Sequence, residues 1–425
     1  MEISHNAAPP EVMHIDLNGA FAMTEQQANP LLRHRPVGVT NRLNDWAICI
    51  TTSYEAKHLG IRLGTRMREA KLLASDFVMV ESDSSKYNYV HNQLKTIFES
   101  YSPGALMKSV DEGVIDFRGM QPILKGRSLE DIGREIKHRI ADEVGDYMTV
   151  NVGIGQNRWL AKLAAGFMKP DGLYTINKRN IEAIYGMLDL CELPYIKQRN
   201  RVRLNDAGIE TTLDFYRASE QTLSKQVFKS INGHHWYLKL RGYETEIEFG
   251  VKTVGRNYVL EHRTSDPEEL ARLLYKAAVK ISRRLRRNTL AARGLSLYLG
   301  YAREPDSGHG WDHTGLSSGW HQRQIYNVAV HRADQLFQRS LELFNASPMG
   351  QTVSSLVMTS YALQEARLNQ PSLFEDEATK LERLDQAINA VNDRYGELTI
   401  APATVTASKN PMKDKVPFGT IRYFD

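Results

Sequence analysis

The chain has 425 residues, 42% of them hydrophobic, and 54 Lys and Arg against 50 Asp and Glu leave a net charge of +4. That length gives two to four domains with ample material for buried cores, and so small a charge permits a nucleic-acid partner without requiring one. Two distant cysteines, Cys49 and Cys191, exclude a disulfide framework. No apolar run reaches the roughly 18–20 residues that span a bilayer, and the first ten residues lack a secretory pattern, so a soluble cytosolic protein is expected.

Residues 1–10 read as a loose lead. Val12–Leu17 reads as a strand ending in an acid, Asp16, and Gly19-Ala20-Phe21-Ala22 opens a helix that Asn29-Pro30 breaks. Val37–Val39 and Trp46–Ile50 read as short strands, and Ser53 as the N-cap of a helix carrying Tyr54 and Lys57. Gly60 and Gly64 bracket a turn before a helix over Arg66–Leu73. A strand at Phe77–Val80, a helix at 85–100, the strand around Asp111-Glu112, a helix at Leu129–Glu143, a strand at Tyr147–Gly155 and a helix at Arg158–Met168 follow. This order suits an α+β layer with helices on one face of the sheet. Residues 176–241 read as short helical segments. Strands at 249–260 and 294–301 around a long helix at 267–288, a polar stretch at 304–320, a helix at 331–345 and a strand at 352–358 make a separate α/β module. From Leu363 the chain turns polar, with one more helix at 377–393.

The chemistry concentrates in Lys108–Phe117, where Asp111 and Glu112 stand side by side among β-branched residues. Adjacent acids repel and lose hydration unless a cation offsets them. An isolated Asp-Glu is more often a solvated turn, but a second strand ends in Asp16. A turn just before or at the pair could bring the three acids together as hard oxygen ligands for ions of the Mg²⁺ class, and two such ions about 3.5–4 Å apart form the clamp of in-line phosphoryl transfer. Phe21 reads either as a core ring or as a ring under a nucleotide sugar. Tyr54 and Lys57 share a helix face and suit a triphosphate as well as they suit a solvated helix start. Lys169 sits at a helix end, where a cation is favoured in any case.

Along 267–288, Leu270, Leu273, Leu274, Ala277, Ile281 and Leu285 form a core stripe. Lys276, Lys280, Arg283, Arg284 and Arg287 form a one-signed stripe beside it, which suits a phosphate backbone, and Arg256 could join that contact. Gln370-Pro371-Ser372-Leu373-Phe374, in a polar tail, reads as a docking peptide or as a local tether. His309, Trp311, His313 and His321 in and beside the polar stretch are scattered loop residues or a metal site.

Taken together, the segments 14–22, 53–61, 109–116, 152–165, 169–172 and 252–256 resemble the lesion-bypass (Y-family) DNA polymerases, the bacterial DNA polymerase IV branch above all, from about Val12 to Tyr361. The resemblance implies an α+β multidomain right hand: palm at 11–30 and 78–175, small fingers at 31–77, a helical thumb at 176–241, an α/β little finger at 248–361 and a tail at 362–425. It implies that Asp16, Asp111, Glu112 and the Leu17 carbonyl hold two Mg²⁺ ions per active site. Phe21 matches the steric gate against ribose, and Tyr54, Lys57 and Lys169 match triphosphate contacts. Gln370, Leu373 and Phe374 match a peptide that docks on the sliding clamp.

The chain departs from the family at Asn18-Gly19-Ala20, where an acid and an aromatic are usual, and at Leu193–Asn200, which lacks the Gly-x-Gly of the thumb hairpin. Lys197, Arg199, Arg201 and Arg203 could grip DNA there by charge. The implied protein is a monomeric, cytoplasmic, low-fidelity translesion polymerase acting on primer-template DNA and deoxynucleoside triphosphates. Its rivals are a palm-type cyclase or nuclease, against which the basic helix speaks, and an inactive clamp-bound adaptor, against which the three retained acids speak.

Overall fold

A computed structural model describes residues 3–44, 47–120, 124, 126–245, 251–302, 319–348, 350–366, 377–396 and 398–403. Gln370, Leu373 and Phe374 lie outside these, as does the polar stretch up to residue 318 with His309, Trp311 and His313. The chain divides into two units, one holding the described residues up to 245 and the other those from 251 to 403.

The first unit is built on a five-stranded sheet of order β5-β6-β1-β7-β8. Its strands are β1 (Val12–Leu17), β5 (Leu106–Met107), β6 (Glu112–Asp116), β7 (Val150–Gly155) and β8 (Leu173–Thr175). β1 is central and antiparallel to both neighbours, with Asp16 opposite Glu112 on one side and Asn151 on the other. Met13 and Ile15 point to one face and pack there with α4 (Ser84–Glu99) and α5 (Leu129–Glu143). Val12 and Val114 point to the other and meet Ala161 of α6 (Arg158–Ala164). Helices therefore cover both faces, not one. The sequence reason is Gly153 and Gly155 on β7: a Cβ on Gly153 would lie 2.1 Å from the Ala161 carbonyl oxygen, so only glycine lets α6 settle this close. Helix α6 also ends four residues before the expected Met168.

A second sheet, β3-β2-β4, comprises β2 (Val37–Thr40), β3 (Thr51–Thr52) and β4 (Val78–Glu81). The strand expected at Trp46–Ile50 contracts to β3 and one isolated bridge between Ile48 and Arg66. The helices α1 (Ala20–Ala28), α2 (Tyr54–His58) and α3 (Met67–Leu73) complete this part. Ser53 caps α2, accepting from the Ala56 amide.

Five short helices follow: α7 (Ile181–Met187), α8 (Gln198–Asn205), α9 (Thr212–Arg217), α10 (Glu220–Thr222) and α11 (Asn232–Leu240). Their core continues into Trp159, Leu160 and Leu163 of α6, which thus serves two layers. The N-terminal lead is fastened, not loose. The Ile3 amide donates to the Tyr237 hydroxyl at 2.9 Å, the Asn6 amide to the Arg241 carbonyl at 2.8 Å, and Gln156 Nε2 to the Asn6 carbonyl at 2.9 Å.

The second unit is an antiparallel sheet of order β11-β10-β12-β9 packed on α12 (Pro267–Arg287) and α13 (Ala333–Asn345). Its strands are β9 (Val254–Thr264), β10 (Leu290–Tyr301), β11 (Gly319–Val330) and β12 (Val353–Glu365). Helix α12 starts on the Asp266 cap with Pro267 at its first position, carries Glu268 and Glu269 in its first turn, and ends on Arg284, Arg286 and Arg287, in line with the helix dipole. β11 went unread in the sequence, because one face carries His321, Arg323 and Asn327, the other Gln322 and Gln324, and only Val330 is buried. His321 lies on it, opposite Tyr298. A last helix, α14 (Glu377–Tyr395), matches the one expected at 377–393. Among the described residues, no helix is long and apolar enough to cross a membrane.

Candidate active site

The three acids meet where β1 ends and β6 begins. A tight turn precedes β6: the amides of Lys108 and Ser109 both donate to the Glu112 carbonyl, at 2.9 and 3.2 Å. Asp111 thus falls just before the strand, its carbonyl accepting from the Leu17 amide at 2.9 Å, while Glu112 opens it opposite Asp16. The turn supplies the convergence that a straight strand, with its alternating faces, denies to neighbouring residues. Ser109 Oγ donates to Asp111 Oδ1 at 2.5 Å.

Electrostatics separate the acids. Burial pushes the Asp111 pKa up, and the Ser109 hydrogen bond does not cancel that push, to which the Asp16 and Glu112 charges add. Burial acts on Glu112 in the same direction, but the His14 hydrogen bond and the Lys162 ammonium outweigh it and hold the carboxyl down at about 2. His14 Nε2 donates to Glu112 Oε2 at 3.1 Å, and Lys162 forms an ion pair with the same oxygen. Lys169 pairs with Asp16 Oδ2. Among the described residues no three acidic, His or Cys side chains close on a common centre; Lys162 and Lys169 instead hold one oxygen each of Glu112 and Asp16. The donor set is nonetheless all hard oxygen. Asp111, buried beside the Asp16 and Glu112 carboxylates, pairs with no cation among the described residues, so the three acids fit an ion of the Mg²⁺ class.

Beside the acids lies a cationic shelf. Gly19, at φ +60, turns β1 into α1; a Cβ there would meet the Thr52 carbonyl oxygen at 3.1 Å and Lys57 Nζ at 3.7 Å. Lys57 Nζ lies 4.0 Å from the Tyr54 ring centroid. Burial and then the neighbouring Lys169 charge lower the Lys57 pKa, and burial with the Asp16 charge lifts Tyr54 to about 12. Two crowded ammonium groups gain by sharing an anion. Asn18, where the family usually has an acid, is buried and links Tyr54 to Thr149, accepting from the Tyr54 hydroxyl at 3.4 Å and donating to Thr149 Oγ1 at 3.1 Å. Phe21 is 8% exposed and stacks on Tyr87 with centroids 4.4 Å apart.

The remaining sequence-predicted residues scatter. Lys197 is exposed and stands at the N-cap position of α8 without a side-chain capping bond. Two residues before it Tyr195 takes φ +70, the left-handed backbone that glycine would adopt, and its ring lies 5.9 Å from Lys162 Nζ. On α12, Lys276 and Lys280 are buried, as is Arg256 on β9. Arg284 donates to the Gly255 carbonyl at 2.9 Å, Arg283 pairs with Asp393 at 3.0 Å, and Arg287 is exposed. The basic stripe thus faces β9 and the chain's own acids over much of its length. His14 and Lys162 escaped the sequence reading as site residues. The available signal was position, since His14 stands two residues before Asp16 and so on the same strand face.

The impB/mucB/samB family model matches residues 15–166, and the model of that family's C-terminal domain matches 251–373. DNA polymerase IV 1 of Bacillus subtilis (strain 168) is 27% identical over 411 residues, 95% of each chain. DNA polymerase IV of Staphylococcus aureus (strain Mu3 / ATCC 700698) is 28% identical over 355 residues, 82% of this chain and 96% of that protein. A Y-family DNA polymerase chimera of Dbh and Dpo4 superposes with a TM-score of 0.67 at 21% identity, over 83% of this chain and 98% of the other. An insertion ternary complex of Dbh DNA polymerase gives 0.57 at 21% identity, over 82% and 98%.

Proposed function

The chain belongs to the impB/mucB/samB family, the Y-family DNA polymerases, and from that membership we propose that it copies DNA past damaged template bases. It is a DNA-directed DNA polymerase, a nucleotidyltransferase with primer-template DNA and deoxynucleoside triphosphates as substrates. The observation that carries the site assignments is the meeting of Asp16, Asp111 and Glu112 where β1 ends and β6 begins, next to the Tyr54, Lys57 and Lys169 shelf.

Asp16, Asp111, Glu112 and the Leu17 carbonyl hold two ions of the Mg²⁺ class. The chemistry supplied by such bound ions is polarisation of the α-phosphate and activation of the primer 3′-hydroxyl. Lys169 leaves Asp16 for the triphosphate, where Lys57 and the Tyr54 hydroxyl join it, and Phe21 lies under the sugar. The five-stranded layer acts as palm (11–30 and 78–175), residues 31–77 as fingers, 176–241 as thumb and 248–361 as little finger. Lys197, Arg199, Arg203 and Arg287 are exposed cations for the DNA backbone. Arg256, Lys276, Lys280, Arg283 and Arg284 reach it only if their present packing opens. Gln370, Leu373 and Phe374 in the tail 362–425 dock a monomer on the sliding clamp in the cytoplasm.

The test is primer extension on a template with one abasic site, with Mg²⁺ and all four nucleotides. Synthesis opposite and beyond the lesion is expected. Synthesis that copies intact template but halts before the lesion would overturn the translesion reading.

A further inference from the structure

Glu112 is held on one oxygen only. His14 Nε2 and the Lys162 ammonium both reach Oε2, and among the described residues no donor reaches Oε1. His14 is 2% exposed, and its Nδ1 is buried without a hydrogen-bond partner. An ionised carboxylate can only accept, so Nε2 is the donor in its contact with Glu112. Lys162 is held in turn by α6, which the glycines of β7 let settle against the sheet, and its ammonium lies 5.9 Å from the Tyr195 ring centroid. Two donors from two different elements therefore fix the torsion of one carboxylate.

We propose that His14 and Lys162 are positioning residues that pin Oε2 of Glu112 so that Oε1 alone is presented to a divalent ion. The inference rests on the metal-site reading above and names the groups that shape one of its ligands. A carboxylate free to rotate offers an ion either oxygen and loses entropy when it is bound; one already pinned does not. Partners of ligating carboxylates commonly change metal affinity by about 10–100-fold. Lys162 makes the claim sharp. On charge alone, removing a cation should tighten divalent-ion binding; on positioning, it should weaken it.

The experiment is Mn²⁺ binding to the full chain, read by loss of the free-ion electron paramagnetic resonance signal, with Asp111→Ala marking the specific site. His14→Phe keeps the ring volume and removes the donor; His14→Gln returns a nitrogen donor at similar reach. His14→Phe is expected to raise the Mn²⁺ dissociation constant about tenfold or more, with His14→Gln restoring most of the loss. Lys162→Met is expected to weaken binding likewise, with Lys162→Arg restoring it. Melting curves and circular dichroism check that each variant folds. Unchanged Mn²⁺ affinity in folded His14→Phe, tighter binding by Lys162→Met, or an intact chain with no Asp111-dependent Mn²⁺ site would each overturn the proposal. Failure of the polymerase reading shows differently, as an intact chain that binds Mn²⁺ at this site yet extends no primer.

Discussion

At Asp111, burial and the two neighbouring carboxylates raise the folded-state pKa. A group whose folded pKa lies above its unfolded value holds its proton more tightly when folded, so its ionised form costs stability at neutral pH. Asp111→Asn is therefore expected to melt above the unaltered metal-free chain at pH 7, while losing synthesis. An unchanged or lower melting temperature would refute this. Glu112 carries the opposite sign. Its carboxyl is held at about 2 against an ordinary 4.5, so it contributes stability that is full above pH 4.5 and lost as the pH falls towards 2. Urea midpoints measured across that window should drop less steeply in Glu112→Gln than in the unaltered chain. Phe21 has two roles to separate. As a buried ring stacked on Tyr87, it should cost about 3–5 kcal/mol when cut to alanine. As a gate, the same change should lower the ratio of kcat/KM for deoxyribonucleotides over ribonucleotides. A destabilised variant with unchanged discrimination would leave Phe21 a core residue only.

Helix α6 is the element on which the site depends most. It buries Ala161 against Val12 and Val114, lends Trp159 and Leu163 to the helical core, and carries Lys162 to Glu112. Gly153→Ala would drive a Cβ into the Ala161 carbonyl. The expected cost is about 1–3 kcal/mol from overpacking, with weaker Mn²⁺ binding as Lys162 shifts; a variant that melts and binds as the unaltered chain does would contradict this geometry. Elements with strong local signals were legible before folding. Val12–Leu17, Leu129–Glu143 and the long helix of the second unit follow from apolar pattern and caps. The second face of the sheet was not, because the glycines that admit α6 give no periodic signal. β11 was missed for a related reason: strand pairing with β10, not its own alternation, holds it in place. Tyr195 shows the limit most plainly. Its sequence argues against the thumb hairpin, yet its backbone takes the glycine conformation at φ +70, a local cost of roughly 1–2 kcal/mol that surrounding packing must offset.

Over the whole molecule, the acids were legible because Asp16 ends one strand, Asp111 and Glu112 stand side by side at another, and both segments carry the family resemblance. Their counter-cations were not, because His14 comes from the sheet and Lys162 from a helix nearly 150 residues later, and only the fold joins them. The basic stripe of α12 was read as one face, and the structure divides it between buried lysines, a carbonyl contact, an ion pair and exposed Arg287. That division leaves net charge a poor guide to where DNA lies and makes the acids the decisive element. The direct test is extension of a primer on undamaged template with Mg²⁺ by the full chain and by the Asp111→Ala, Glu112→Ala double variant. The account predicts extension by the first and, with folding intact, none by the second; extension that survives the double substitution, or an intact chain that binds primer-template yet adds no nucleotide, would contradict it.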